Sequence, residues 1–449
     1  MNVPASRPRS AHPLEALPLE GSADAEMLFA RLLADEEASF WLDAGVQARE
    51  GWSILGAGDV ETDPEAVRTV GLTGAGAAPG GIPFAGGWVG WLDYETGAAA
   101  LGAPVTGAVP GGAWIAVTRA IAVDHASGRA FALAQAHELL AWHAVVTAAL
   151  TGIPLPPPSP ITADRDAVAR HGAAEYRSLI QECRHAIERG AAYQLCLTTR
   201  FSVDRPADPL EVYRRLRAAT PAHHGGFLRI GELHLLSASP ERFLAVEGGT
   251  ASTSPIKGTR PRGADETEDA RLAEDLRTDV KERAENVMIV DLMRNDLSRI
   301  GVPGTVRVER LWEVESYPAV HQLVSTVSVR LRAGVAFGDL ADAAFPAGSM
   351  TGAPKLSATG ILHDLERGPR GVYSGCFGHV GLDGRVDLAM VIRSIVVTAD
   401  DAYVGAGGGI TWLSHAEAEV AEVATKARAP LAALGARVPA EWAAVSDTR

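Results

Sequence analysis

Glu282 and Glu285 lie three residues apart in Lys281-Glu282-Arg283-Ala284-Glu285-Asn286, and Glu419, Glu422 and Lys426 lie three and four apart nearer the C-terminus. At helical spacing each set shares one face. Two helices that each offer a carboxylate pair suit a hard divalent cation such as Mg²⁺. That ion takes oxygen ligands, commonly one or two protein carboxylates beside water and substrate oxygens. Taken alone, either pair also fits an ordinary solvated face.

Of 41 basic residues only Lys257, Lys281, Lys355 and Lys426 are lysines. Where arginine is the default cation, a retained lysine points to what a guanidinium cannot do, which is to lose its proton and act as nucleophile or base. Lys257 sits in Ser254-Pro255-Ile256-Lys257-Gly258-Thr259, at a strand end, where an exposed cation is the plainer reading. Arg393 interrupts Met390-Val391-Ile392-Arg393-Ser394-Ile395, so its charge needs a counterion or an anionic ligand if buried. Glu241, in Ser239-Pro240-Glu241-Arg242-Phe243, reads as a turn carboxylate, and His321, among apolar neighbours, as a core histidine. The glycine run 405–409 offers backbone N–H groups that suit an anion, although its spacing does not fit the dinucleotide fingerprint.

These residues need a scaffold. A proline-rich segment, residues 154–160, divides the chain. Before it the pattern gives a helix near 25–34, a strand at 39–42 and glycine-punctuated hairpins. After it come a helix at 173–189, strands at 193–201 and 227–237, the second broken by a Gly231-Glu232 turn, and a hairpin turning at Gly248-Gly249. A long helix follows over 266–300, then a strand over 385–398 and a helix over 416–434. Hairpins alternating with isolated helices predict an α+β fold rather than a doubly wound parallel sheet.

Composition narrows the class. A formal charge of −14 disfavours nucleic acid and anionic membranes as partners. The three cysteines lack metal spacing and suit reduced thiols in a cytoplasmic protein. No targeting or membrane-spanning segment is expected.

Together the segments resemble the chorismate-utilising enzymes across residues 165–435. The match rests on Tyr193-Gln194-Leu195-Cys196, Ser239–Phe243, Pro255–Thr259, Asp291-Leu292-Met293-Arg294-Asn295-Asp296, Pro318-Ala319-Val320-His321, FPAGSMTGAPK at 345–355, Gly371-Val372-Tyr373-Ser374-Gly375 and the 405–410 glycine segment. Residues 14–155 are similar to its N-terminal region through FWLDAG and GGWVGWLDYE, and residues 1–13 read as a disordered tail. The resemblance implies an antiparallel β-sandwich core flanked by helices. It implies Mg²⁺ ligated by Glu285 and Glu422 with Glu282 and Glu419 in support. Substrate would meet Thr259, Ser349, Tyr373, Arg393, Gly407, Gly409 and Lys426. Glu241 would be the general acid at the C4 hydroxyl of chorismate, with Lys257 and His321 also catalytic.

Two positions choose the branch. Isochorismate and salicylate synthases resemble one another in a lysine base where Gln194 stands here. Anthranilate synthases look like this chain at Gln194 but typically carry alanine at the position of Lys257. Aminodeoxychorismate synthases resemble it at both. The resemblance then implies chorismate and ammonia as substrates. It also implies a separate glutamine amidotransferase subunit, since the sequence offers neither room nor a nucleophile-elbow cysteine for that domain. Component I of anthranilate synthase and a catalytically silent chorismate-binding subunit are the alternatives. The family often has Gly-Asp before Tyr-Gln, whereas Gly190 is followed here by Ala191 and Ala192.

Overall fold

The computed structural model describes residues 11–443 except 47, 74–80, 108, 110, 152 and 318–319. Most of the expected N-terminal tail, and Pro318 and Ala319 of the motif before His321, therefore lie outside the described residues.

Alternation along the strands builds two apolar faces. In strand Ala38–Asp43, Phe40 joins Ile54, Trp91, Ile115, Leu235 and Phe377 in one cluster, while Trp41 joins Phe29, Leu55 and Tyr213 in another. Strand Asp401–Ile410 divides likewise, Tyr403 to the first cluster and Ala402 and Val404 to the second. The first cluster gathers residues from distant parts of one antiparallel ladder and is the filling of a sandwich.

That ladder starts at Gln194–Asp204 and passes through Asp401–Ile410, Ser394–Val397, Leu233–Ser239, His224–Ile230, Ala38–Asp43, Trp52–Val60 and Ala113–Asp124. It continues through Gly87–Leu92, Cys376–Gly381, Val386–Met390, Arg242–Glu247 and Thr250–Thr253 to Val320–Arg330. Helices Ala173–Glu188, Lys355–Glu366 and Ala416–Ala433 cover the outer face of one arm; Val280–Ser298 and Phe337–Ala344 cover the other. The predicted α+β sandwich is the observed architecture. Strands on both sides of the proline-rich segment share the sheet, so residues 14–155 and 165–435 form one hydrogen-bonded structure.

Three predicted elements are revised. The helix expected over 266–300 is two, Glu266–Thr278 and Val280–Ser298, separated by Asp279 in extended conformation. The strand expected over 385–398 breaks into Val386–Met390 and Ser394–Val397, with Arg393 between them in the left-handed region at φ 53°. The glycine run is the end of a strand rather than a loop. Gly407 pairs with Thr198 and Gly409 with Cys196, so the ladder constrains the backbone that was expected to be an open anion nest.

Beneath the sheet lies a buried ion pair the sequence pattern did not reveal. Arg370 donates from Nε and Nη2 to the Glu366 carboxylate at 2.8 and 2.7 Å, and to the carbonyls of Met350 and Cys196 at 2.6 and 2.9 Å. Glu366 also accepts from the Thr198 N–H at 2.8 Å. Arg370→Met strands that carboxylate without a countercharge. The expected loss is about 3–5 kcal/mol, read as a lower urea midpoint at unchanged slope.

Candidate active site

Glu241 follows strand Leu233–Ser239 and is fixed by its backbone. Its carbonyl accepts from the Met390 N–H at 3.0 Å and its N–H donates to Ser239 Oγ at 3.3 Å. The side chain is buried and its Oε1 accepts from Ser349 Oγ at 3.4 Å. Burial pushes the carboxyl up to about 7. Lys257, the Ser349 hydroxyl, the Ile256 N–H and Lys426 act the other way. Glu241 is thus a carboxyl held above the ordinary range by burial, within reach of the charges of Lys257 and Lys426.

Lys257 lies on strand Ile256–Pro261, half-buried. Its Nζ is 3.5 Å from where a Cβ on Gly409 would stand, and the Gln194 amide nitrogen is 2.6 Å from the same point. Gly409 is therefore the floor on which both side chains rest, and a side chain there would displace them. Gln194 is buried, and among the described residues neither end of its amide has a hydrogen-bond partner. At Gly405 a Cβ would fall 2.1 Å from the Tyr373 ring. A strand dense in glycine exists here because side chains from other elements occupy its surface.

Helix Ala416–Ala433 brings Glu419, Glu422 and Lys426 to the same strand. Lys426 donates to the Gly407 carbonyl at 2.9 Å and to Glu422 at 2.7 Å. Burial would raise the Glu422 carboxyl, but Lys426, then Lys257 and Lys281, hold it below its usual range. Glu419 accepts from Ser414 Oγ at 2.7 Å; burial, with the charges of Glu422 and Glu285, raises it. Glu282 is raised by burial and by Glu285 and Asp279. Glu285 is 3.8 Å from Lys281, an ammonium that also feels Glu419, Glu422 and Glu282. The two acidic pairs therefore face one space across two helices. Among the described residues no group of three or more His, Cys, Asp or Glu encloses a metal position. This donor set fits a hard cation that draws one or two carboxylates and completes its shell with other oxygens; it is not a closed protein cage.

Arg393 is mostly buried, and among the described residues its guanidinium makes no hydrogen bond or ion pair to the protein. Burial lowers its pKa against the pull of Glu422 and then Tyr373. A cation held in a left-handed backbone beside a buried tyrosine suits an anionic group delivered from outside.

Lys257, Glu241, Ser349, Gly409, Gly407, Lys426, Glu422, Arg393 and Tyr373 thus share one region, bordered by Glu282, Glu285 and Glu419. Two candidates have other neighbours. His321 is buried, with Ser316 Oγ 2.8 Å from Nδ1 and Asp269 2.9 Å from Nε2. Thr259 is exposed, and its carbonyl accepts from Arg260. Lys355, unassigned from sequence, donates to Asp296 at 2.7 Å and to the Ala344 carbonyl at 3.1 Å, a buried tie between two helices. A cavity of about 320 Å³ between Asp43, His223, His224, Arg242, His379 and Asp387 is lined by none of the gathered residues. Among the described residues no helix is long and apolar enough to cross a membrane.

Residues 22–432 match the family described as chorismate binding enzyme. The chain is 40% identical over 479 residues to an aminodeoxychorismate synthase of Streptomyces pristinaespiralis, covering 96% of this chain and 66% of that one. It therefore spans just under two thirds of that relative's length. An anthranilate synthase component 1 of Streptomyces coelicolor is 37% identical, with 96% of this chain and 90% of that one covered. Among solved structures, anthranilate synthase component I from Streptococcus pneumoniae superposes with a TM-score of 0.72 at 26% identity, covering 92% of this chain and 99% of that one.

Proposed function

The chain belongs to the chorismate-binding enzymes, and on that premise we propose that it replaces the C4 hydroxyl of chorismate with an amino group from ammonia, the aminodeoxychorismate synthase reaction. The observation that carries this reading is the setting of Lys257: its Nζ lies against Gly409 beside Gln194, and its charge is the largest influence opposing burial at the Glu241 carboxyl, which accepts from Ser349.

Lys257 Nζ attacks C2 as a neutral amine, forming the C2–N bond as both ring double bonds shift (C1=C2 to C1=C6, C5=C6 to C4=C5) and the C4–O bond breaks. Hydroxide is a poor leaving group, so Glu241 gives its proton to that oxygen and water departs. Ammonia then attacks C4, both double bonds shift back, and the C2–Nζ bond breaks to release Lys257. The surplus proton of the new C–N bond restores Glu241. Arg393, Tyr373, Lys426 and the backbone at Gly407 and Gly409 orient the substrate carboxylates. Mg²⁺, held by Glu285 and Glu422 with Glu282 and Glu419 in support, would neutralise and fix a carboxylate. Gln194, uncharged, offers no base to activate water at C2.

A glutamine amidotransferase subunit supplies the ammonia in this reading. The three buried free cysteines are consistent with a cytoplasmic setting. The match over 90% of an anthranilate synthase component 1 favours a second reading, amination at C2 with release of pyruvate and Lys257 a bystander.

Mass spectrometry of the products formed from chorismate, Mg²⁺ and ammonium separates them. Aminodeoxychorismate is expected. Anthranilate and pyruvate as the main products would overturn the first reading in favour of the second.

A further inference from the structure

Strand Ile256–Pro261 pairs irregularly with Val320–Arg330. Ile256 is opposite Val324 but Thr259 is opposite Gln322, so the register shifts across Lys257 and Gly258. Gly258 has a φ of +79°, and a Cβ there would meet Leu276 at 2.7 Å and the Glu282 carboxyl carbon at 3.0 Å. An irregularity of this kind re-aims a side chain while giving up ladder hydrogen bonds. The direction of Lys257 must then be fixed by something outside the ladder.

We propose that Arg260 is a positioning residue, whose guanidinium keys the strand that carries Lys257 to the helix that carries Glu282 and Glu285. The inference rests on the reading of Lys257 and the acidic pair given above. Arg260 Nε donates to Asp275 at 2.9 Å, Nη2 donates to Asp279 at 2.9 Å, and Nη1 stands 3.7 Å from Glu282. The same Asp279 carboxylate accepts from the Glu282 N–H at 3.0 Å and so caps helix Val280–Ser298. One planar cation therefore touches the end of the preceding helix, the cap of the next and one of its acidic pair. Helix Glu266–Thr278 buries only Leu276, so apolar packing does little to hold this junction. Without Arg260, Asp275, Asp279 and Glu282 lose the cation they share, and the irregular strand loses its anchor three residues beyond the amine. A lysine cannot replace the fork, since one ammonium does not span two carboxylates in fixed geometry.

The scarcity of lysine makes this directly measurable. Reductive ¹³C-methylation labels Lys257, Lys281, Lys355 and Lys426 alone besides the N-terminus, and Lys257→Arg assigns the Lys257 signal. In Arg260→Met that signal should shift and broaden without any substrate present, and in Asp275→Asn it should move the same way by less. With unmodified protein, kcat should fall roughly 10–100-fold with KM changed less than about threefold, and Arg260→Lys should recover only part of the loss. A Lys257 signal superimposable on wild type, with a lowered melting temperature alone, would show Arg260 to be a stabilising residue and overturn the proposal. Should Arg260→Met fail to fold, Asp275→Asn, which leaves the Asp279 cap intact, decides by the same signal. If wild type makes no aminodeoxychorismate the functional reading fails, while the resonance comparison still tests the positioning role.

Discussion

Lys257→Ala should lower aminodeoxychorismate formation by about 10³-fold or more, the scale on which enzymes lose activity with their nucleophile. Any residual amination should move to C2 and appear as anthranilate, because the group that directs nitrogen to C4 is gone. Chorismate affinity should change far less, since Arg393, Tyr373 and Lys426 remain. Removing a positive charge from beside Glu241 and Glu422 is itself a perturbation, so alanine alone does not separate a nucleophile from an electrostatic partner. Lys257→Arg does. It keeps the cation but cannot supply a neutral amine, so a nucleophilic role makes arginine as inactive as alanine, whereas an electrostatic role lets arginine restore most of the rate. Trapping by mass spectrometry gives the complementary result, an adduct on the wild-type peptide that contains Lys257 and none on either variant. Substantial C4 amination by Lys257→Arg would remove the covalent step from the mechanism.

The reach of local sequence is clearest where these site residues sit. Helices Ala173–Glu188 and Ala416–Ala433 follow from apolar spacing, and the second delivers Glu419, Glu422 and Lys426 to one face as that spacing requires. The turn at Gly231 and the hairpin at Gly248-Gly249 are equally local. What escaped has a tertiary cause. Nothing in Arg277-Thr278-Asp279-Val280 breaks a helix by propensity; Asp279 leaves it because its carboxylate caps the next helix and is clasped by Arg260. The glycine run carries no local mark of a strand, because glycine is poor strand material. Its reasons for lacking side chains lie at Tyr373, Gln194, Lys257 and Glu419, all remote in sequence. Arg370 and Glu366 share the spacing of many exposed pairs, and only the sheet above them makes theirs a buried one. Pairing of Ala38–Asp43 with His224–Ile230 is likewise a long-range choice that no window around either strand contains.

Glu241 provides the second large effect, and its pH dependence has a definite sign. Burial raises the carboxyl from 4.5 to about 7, against Lys257, Ser349, the Ile256 N–H and Lys426, each of which favours the ionised form. A general acid must carry its proton, so the Glu241-dependent limb of kcat/KM should fall as pH rises through about 7. Glu241→Gln should reduce the rate about 10²–10⁴-fold and remove the alkaline limb from what activity remains. The environment also predicts how that limb moves. Ser349→Ala deletes a hydroxyl that favours the carboxylate, so the limb should shift to higher pH with the fold intact. Lys257→Ala should shift it further in the same direction, since Lys257 is the strongest of the groups opposing burial. The carboxyl stretching band of Glu241, read by infrared difference between wild type and Glu241→Gln, follows this titration without turnover. A band already ionised at pH 5 would mean that burial does not dominate here, and Glu241 would then act as a base or a counterion rather than as the acid at C4.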